Sequence, residues 1–288
     1  MNNSYNEEFE TLRNINAEAA KDLEQALNQL AWHPEHFRLG TMGLCNVGKS
    51  TTLNALISDV NNATFASDVI PTTKCLQRYF HEGIELMDTP GFDANSEDDA
   101  IAFEGLKHCD VLLLVHPLTT GELDAVLLGA LKKLSAGEPR PLADRLIAVW
   151  TCAGEVSLQE EPDLAKKLTE QLRNATNGSP PQVSVDNVTY MKALRHNKLQ
   201  LMAHSGIPTL MDMIQKMQAS NSRVYEAREA RRCHQLKQCL AIIEKISSTL
   251  QQEREAHRQA ILRAIQGPLD ALAAYQLSVA SLATRAKS

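Results

Sequence analysis

Two short runs hold the residues best suited to chemistry. In Gly43-Leu44-Cys45-Asn46-Val47-Gly48-Lys49-Ser50, two glycines with four residues between them lead into Lys-Ser, and Thr51 with the helical run Thr52–Ile57 follows. Successive N–H groups of such a loop form an anion nest at a helix N-terminus; the lysine bridges terminal phosphates and the serine hydroxyl binds magnesium. This is the Walker A pattern, and the glycines suit tight turns and close approach to phosphate. Thirty-eight residues after Ser50 stands Asp88-Thr89-Pro90-Gly91, behind the apolar run Ile84–Met87. An aspartate there can hold a magnesium-bound water, and the Gly91 amide can report whether a γ-phosphate is present. Between the two lies Ile70-Pro71-Thr72-Thr73-Lys74, in which Thr73, ahead of Thr72, is the candidate to coordinate magnesium only while that phosphate remains. The alternative is an edge turn with two ordinary threonines.

These runs need a scaffold. Short apolar strands are expected near 37–43, 76–80, 84–88, 110–116, 145–151 and 183–191, with helices from about 49 and over 96–107, 121–135, 160–174 and 205–218. Alternating strands and helices imply an α/β, three-layer domain with a mainly parallel sheet, spanning 35–218. Before it, at 1–34, Phe9, Leu12, Ala19, Leu23, Leu27 and Leu30 mark an amphipathic helix from about 5 to 31, with Ser4 and Glu7 as its capping box. After it, at 219–288, Leu236, Leu240, Ile243, Ile246 and Leu250 line one side of a helix. Gly267-Pro268 should break it, and a last helix with Leu269, Leu272, Val279 and Leu282 on one face should complete a three-helix bundle from the two termini. These helices serve either as simple packing against the core or as a moving lever and partner surface.

The chain has 288 residues, 43% of them hydrophobic and 22% charged, values of an ordinary globular protein. A formal net charge of −6 argues against sequence-independent binding of nucleic acid as the main task. No apolar run reaches membrane-span length and the start is polar and acidic, so a cytoplasmic location is expected, with peripheral membrane attachment as the variant. Six scattered cysteines without a Cys-x-x-Cys pair read as reduced thiols, and Cys233, His234 and Cys239 converge too few ligands for a metal site.

The loop Gly43-Leu-Cys-Asn-Val-Gly-Lys-Ser, with Asp88-Thr-Pro-Gly91 behind it, resembles the translation-factor-related class of GTPases over about residues 36–218. Within that class it is similar to the Era/TrmE-like group, with Cys45 in place of their proline. Pro71-Thr-Thr-Lys74, and helices from both termini, are similar to the bacterial dynamin-like group, although no stalk or membrane paddle is found. The resemblance implies GTP or GDP with Mg2+ as the bound species. It also implies K+ as a further cofactor if Asn46 helps bind a cation beside the phosphates; the alternative is an Asn46 that only bonds within its loop. Phe92 falls where small GTPases keep a water-positioning glutamine, so hydrolysis would need a cation, another group or a partner.

The base-reading motif of the class, Asn/Thr-Lys-x-Asp, departs here to Thr151-Cys152-Ala153-Gly154. Thr151 stands for the first residue, the lysine and aspartate are missing, and Glu155 is the carboxylate that could reach round to replace the latter. Lys192-Ala193-Leu194, after the expected last strand, is similar to the loop whose alanine amide meets the guanine carbonyl, which puts Ala193 in the base site; Lys192 reads as an exposed lysine. The resemblance therefore implies a GTPase of low intrinsic turnover, with Lys49, Thr73, Gly91 and Asn46 assisting hydrolysis, nucleotide-dependent homodimers, and a protein partner on the terminal helices. The competing readings are a poorly hydrolysing docking module and an NTPase with relaxed base preference.

Overall fold

The computed structural model describes residues 10, 12–14, 16–31, 36–65, 76–92, 96–159, 161–219 and 223–285. The Ser4/Glu7 box, Phe9, Thr72, Thr73 and residues 93–95 lie outside them. The chain divides into two compact units, one of residues 32–234 and one drawn from residues 1–31 and 235–288.

In the first unit the strands are β1 (Phe37–Met42), β2 (Gln77–His81), β3 (Ile84–Asp88), β4 (Val111–Pro117), β5 (Leu146–Thr151) and β6 (Gln182–Ser184). They form one sheet in the order β2-β3-β1-β4-β5-β6. All neighbours are parallel except the β2–β3 hairpin, where Gln77 faces Asp88 and His81 faces Ile84. β4 and β5 are almost wholly buried, which accounts for their unbroken apolar runs Val111–Val115 and Leu146–Trp150. At the edge, β2 leaves Tyr79 and Phe80 exposed. One core lies on each face: Met42, Leu112, Leu114, Ala148 and Trp150 on one side, and Leu39, Leu113, Ile147 and Val149 on the other. The alternation is the two-residue period of a strand.

Helices connect the strands: α2 (Lys49–Leu56), α3 (Ser96–Lys107), α4 (Ala125–Ala136), α5 (Pro162–Thr176), α6 (Asn187–Arg195), α7 (Leu199–His204) and α8 (Ile207–Gln218), with α1 (Ala17–Ala31) before them and α9 (Arg223–Arg285) after. Three expectations need correction. The last strand stops at Ser184, and Asn187–Arg195 is helical. The reason is a cap: the Asp186 carboxylate accepts from the Thr189 N–H at 2.9 Å and the Thr189 hydroxyl at 2.6 Å, and this outweighs the strand-like apolar pattern that begins with Val183 and Val185. Gly267-Pro268 does not break the C-terminal helix, so the two expected helices are one of 63 residues. A proline inside a helix removes one backbone bond, and here it is flanked by strong helix formers, Ala260–Gln266 before and Leu269–Ala274 after. Third, residues 10 and 12–14 are helical, but Asn16 interrupts the run, so α1 is not continuous with them. It starts after Asn16, whose side-chain oxygen accepts from the Ala19 N–H at 3.0 Å. Residues 251–270 of α9 are exposed all round. Among the described residues no helix is long and apolar enough to cross a membrane.

Candidate functional site

β1 lies between β3 and β4, where the connections leave in opposite directions, and ligands of open α/β sheets bind at the carboxyl ends of strands at such a point. Residues 43–50 cross that end. A side chain at Gly43 would stand 2.4 Å from the Val115 carbonyl oxygen, so only glycine allows the loop to lie this close to β4. Asn46 and Gly48 take positive φ, 60° and 98°, and turn the chain into α2. The loop is held through its carbonyls. Thr151 donates its hydroxyl to Val47 O at 2.9 Å, Thr52 donates to Gly48 O at 2.8 Å, and the Phe92 N–H donates to Gly43 O at 3.1 Å. The buried Lys49 ammonium reaches Leu44 O at 2.8 Å, so it is poised over its own loop.

Asp88, at the end of β3, is buried, and burial pushes its carboxyl above the ordinary aspartate range against the hydrogen bonds from Ser50 and Thr41 and the charge of Lys49. Ser50 donates to Oδ2 at 2.6 Å and Thr41 donates to Oδ1 at 2.9 Å. The set fits magnesium: two oxygen donors meet beside a phosphate loop, and a desolvated carboxylate gains most from a hard cation. Thr41 carried no sequence signal of its own. Downstream, Gly91 lies against the phosphate loop, because a Cβ on it would stand 2.7 Å from the Cys45 N and 2.5 Å from its Sγ. Phe92 is buried, and its ring meets that of Phe103 edge-on with centroids 5.2 Å apart. The phenyl therefore belongs to the core.

At the other end of the loop, the side chain of Thr151 and the amide of Asn187 flank Gly48, 3.6 Å and 3.7 Å from where its Cβ would be. Cys152 takes φ 60° and starts an exposed turn; Glu155 is exposed on it, its N–H bonded to Cys152 O at 3.0 Å. Ala193 does not lie in a base loop. It is buried within α6, where an interior amide is committed to the carbonyl four residues back. The segment that does reach the site after β6 is Val185–Asn187. The Ala153 N–H donates to Val185 O at 3.4 Å, and the Asp186 carboxylate stands 2.6 Å from the Cβ position of Gly154. Sequence reasoning missed Asp186 and Asn187; the local Asp-x-x-Thr cap was their one available signal.

The geometry agrees with comparison. Residues 38–144 match the family described as 50S ribosome-binding GTPase.

Over those residues the chain is similar to a P-loop GTPase domain.

The chain is also similar to GTPase Der of Campylobacter curvus, 33% identical over 141 residues that cover 44% of this chain and 29% of that protein. The chain thus spans less than a third of that relative's length. Among solved structures, a chain of an oligomerised bacterial dynamin pair matches with a TM-score of 0.50 and 14% identity, over 92% of this chain and 50% of that one. Toc33 of Arabidopsis thaliana, solved with GDP and Mg2+, gives a TM-score of 0.48 and 19% identity over 72% of this chain and 94% of that one.

At the opposite end of the strands the sheet domain receives the first turns of α9, within the same compact unit. Arg145, fully buried, donates to Glu138 at 2.6 Å, Cys109 O at 2.8 Å and Leu106 O at 3.3 Å. Arg231 of α9 joins this group, 3.5 Å from Glu138 and 3.6 Å from Asp110, and donates to Cys109 O at 3.4 Å. Burial pulls its guanidinium down to about 10, with the charge of Arg145 adding to the effect. A cleft of about 350 Å³ between Leu56–Ser58, His81–Ile84 and Met211–Gln218 also lies at this end, away from the phosphate loop.

Proposed function

We propose that this chain is a magnesium-dependent switch that binds and hydrolyses GTP and passes its nucleotide state to the terminal helices and to homodimer formation. The reading is carried by one observation, the Ser50–Asp88 contact of 2.6 Å beside the phosphate loop with Gly91 against Cys45. Ser50 and Asp88 would hold Mg2+, with Thr73 as its switch ligand. Lys49 and the N–H groups of residues 43–50, followed by Thr51, hold the phosphates. When bound, the cation would supply positive charge against the negative charge developing on the phosphate oxygens. A water oxygen forms a bond to the γ-phosphorus while the bond to the bridging oxygen breaks; GDP takes that bond's electrons and the water proton leaves with phosphate. Asn46 is the residue that would help hold K+ beside the phosphates, Gly91 reports the γ-phosphate, and loss of that phosphate releases the segments around Thr73 and 91–95.

A physical route to α9 supports the coupling. α3 follows the Gly91 segment, and Arg145 and Arg231 bond the carbonyls of Leu106 and Cys109 at its end. Phosphate release from GTP, measured in sodium and then potassium buffer with Lys49→Ala as control, tests the reading. Turnover that needs Lys49 and magnesium supports a switch; binding without turnover would sink it. The second reading, a nucleotide-stabilised docking module, is favoured by Cys152 and Gly154 in place of the base-reading lysine and aspartate, and relaxed base preference would follow from the same loss. Potassium stimulation is the result expected if Asn46 binds a cation.

A further inference from the structure

We infer that Asp186, with Asn187 beside it, supplies the guanine-reading acceptors that Gly154 cannot, so that the base is recognised from the β6–α6 corner. The inference rests on the switch reading above and goes beyond it in naming the specificity residue, which is Asp186 and not Glu155.

Three observations carry it. First, the Asp186 Oδ2 lies 2.6 Å from where a Gly154 Cβ would stand, so the carboxylate fills the space that a side chain on Gly154 would need. Two different residues would then deliver one chemical group to one place. Second, Asn187 is 93% buried by its 7% exposure, and its Oδ1 has no hydrogen-bond partner. Its orientation is set by its neighbours. The Thr52 hydroxyl gives its proton to Gly48 O, so it can only accept from Asn187 Nδ2, at 2.9 Å, and Oδ1 is left as a buried acceptor at the Gly48 end of the phosphate loop. A buried acceptor left unpaired carries a desolvation cost, which a donating ligand would recover. Third, the corner is fixed from behind: the Asp186 N–H donates to Ser205 O at 2.8 Å, and Gly206 fits against the Ser184 carbonyl only because it lacks a Cβ.

The chemistry then selects the base. Each Asp186 oxygen accepts one bond from Thr189 and keeps a second acceptor site. Guanine presents N1–H and the N2 amino group as adjacent donors, which a carboxylate pairs. Adenine presents a lone pair at N1, which a carboxylate repels, so the wrong base leaves the site's acceptors unpaired.

The test compares binding of fluorescent GDP, XDP and ADP to the full chain with magnesium, for wild type, Asp186→Asn, Asp186→Ser and Glu155→Gln. Asn and Ser both cap helices well, so α6 is retained. Wild type should favour GDP over ADP and XDP. Asp186→Asn should weaken GDP roughly 10- to 100-fold, the loss of one or two charge-assisted hydrogen bonds. It should also tighten XDP, because an amide donates to the xanthine 2-carbonyl, and a gain of this kind cannot come from misfolding. Asp186→Ser should lose GDP without gaining XDP, and Glu155→Gln should change neither. An unaltered GDP-to-XDP ratio in Asp186→Asn, or a reversed one in Glu155→Gln, overturns the inference. Equal GDP and ADP binding by wild type overturns it while leaving the switch intact; failure to bind any of the three overturns both.

Discussion

Asp88 carries a buried acid whose environment without a cation favours its neutral form. Its folded-state pKa is raised, so the protein incurs no penalty below the unfolded value; the penalty grows as pH rises towards the folded value and is complete above it. Asp88→Asn should therefore raise the melting temperature of nucleotide-free, magnesium-free protein at neutral pH and flatten its fall above acid pH. The same variant should lose the stabilisation that wild type gains from GDP with magnesium; a variant that melts at the wild-type temperature would contradict the desolvation argument. Gly91 gives a second expectation. A methyl group there meets the Cys45 backbone at 2.7–2.8 Å, and overpacking of this kind costs about 1–3 kcal/mol. Gly91→Ala should keep GDP binding and slow GTP turnover by about tenfold or more, read in single-turnover assays. At this scale, legibility followed locality. Gly43–Ser50 and Asp88 belong to short contiguous patterns, whereas Thr41, Asp186 and Asn187 matter through neighbours distant in sequence.

Among the elements, the end of α3, β5 and the root of α9 meet at Glu138, Arg145, Arg231 and Asp110. Two guanidiniums share this buried pocket with two carboxylates, and removing one partner of a buried pair costs roughly 3–5 kcal/mol. Glu138→Gln should cost a sum in that range in denaturant unfolding, while Lys167→Gln, at an exposed pair with Glu122, should fall within about 1 kcal/mol of wild type. α9 offers a converse case. Pro268 costs its helix about 3 kcal/mol relative to alanine, so Pro268→Ala should slow amide exchange around residues 264–272 without changing nucleotide binding. The first five strands and most helices were readable within a few residues. α6 was not, because an apolar alternation and a helix cap compete over the same residues, and the continuity of α9 was not, because one proline is weaker than the helix on either side of it.

For the whole molecule, the expected consequence of the switch is a change of assembly. Light scattering should give a larger mass with GDP and a phosphate transition-state analogue than with GDP alone, and an unchanged monomer mass in every state would remove dimerisation from the reading. The fold class was legible as a whole because strand–helix alternation and the loop at residue 43 point to the same three-layer answer.

The half-buried thiols of Cys45 and Cys152 flank the nucleotide site at its two ends, one under Gly91 and the other next to Thr151, while Cys109 lies in the core with burial pushing its thiol up to about 12. Since the thiolate is the reacting form, the chain is equipped with two alkylation reporters and one silent reference. Iodoacetamide footprinting followed by mass spectrometry would then track occupancy without any label: protection of Cys45 would follow the phosphates, and protection of Cys152 would follow the base.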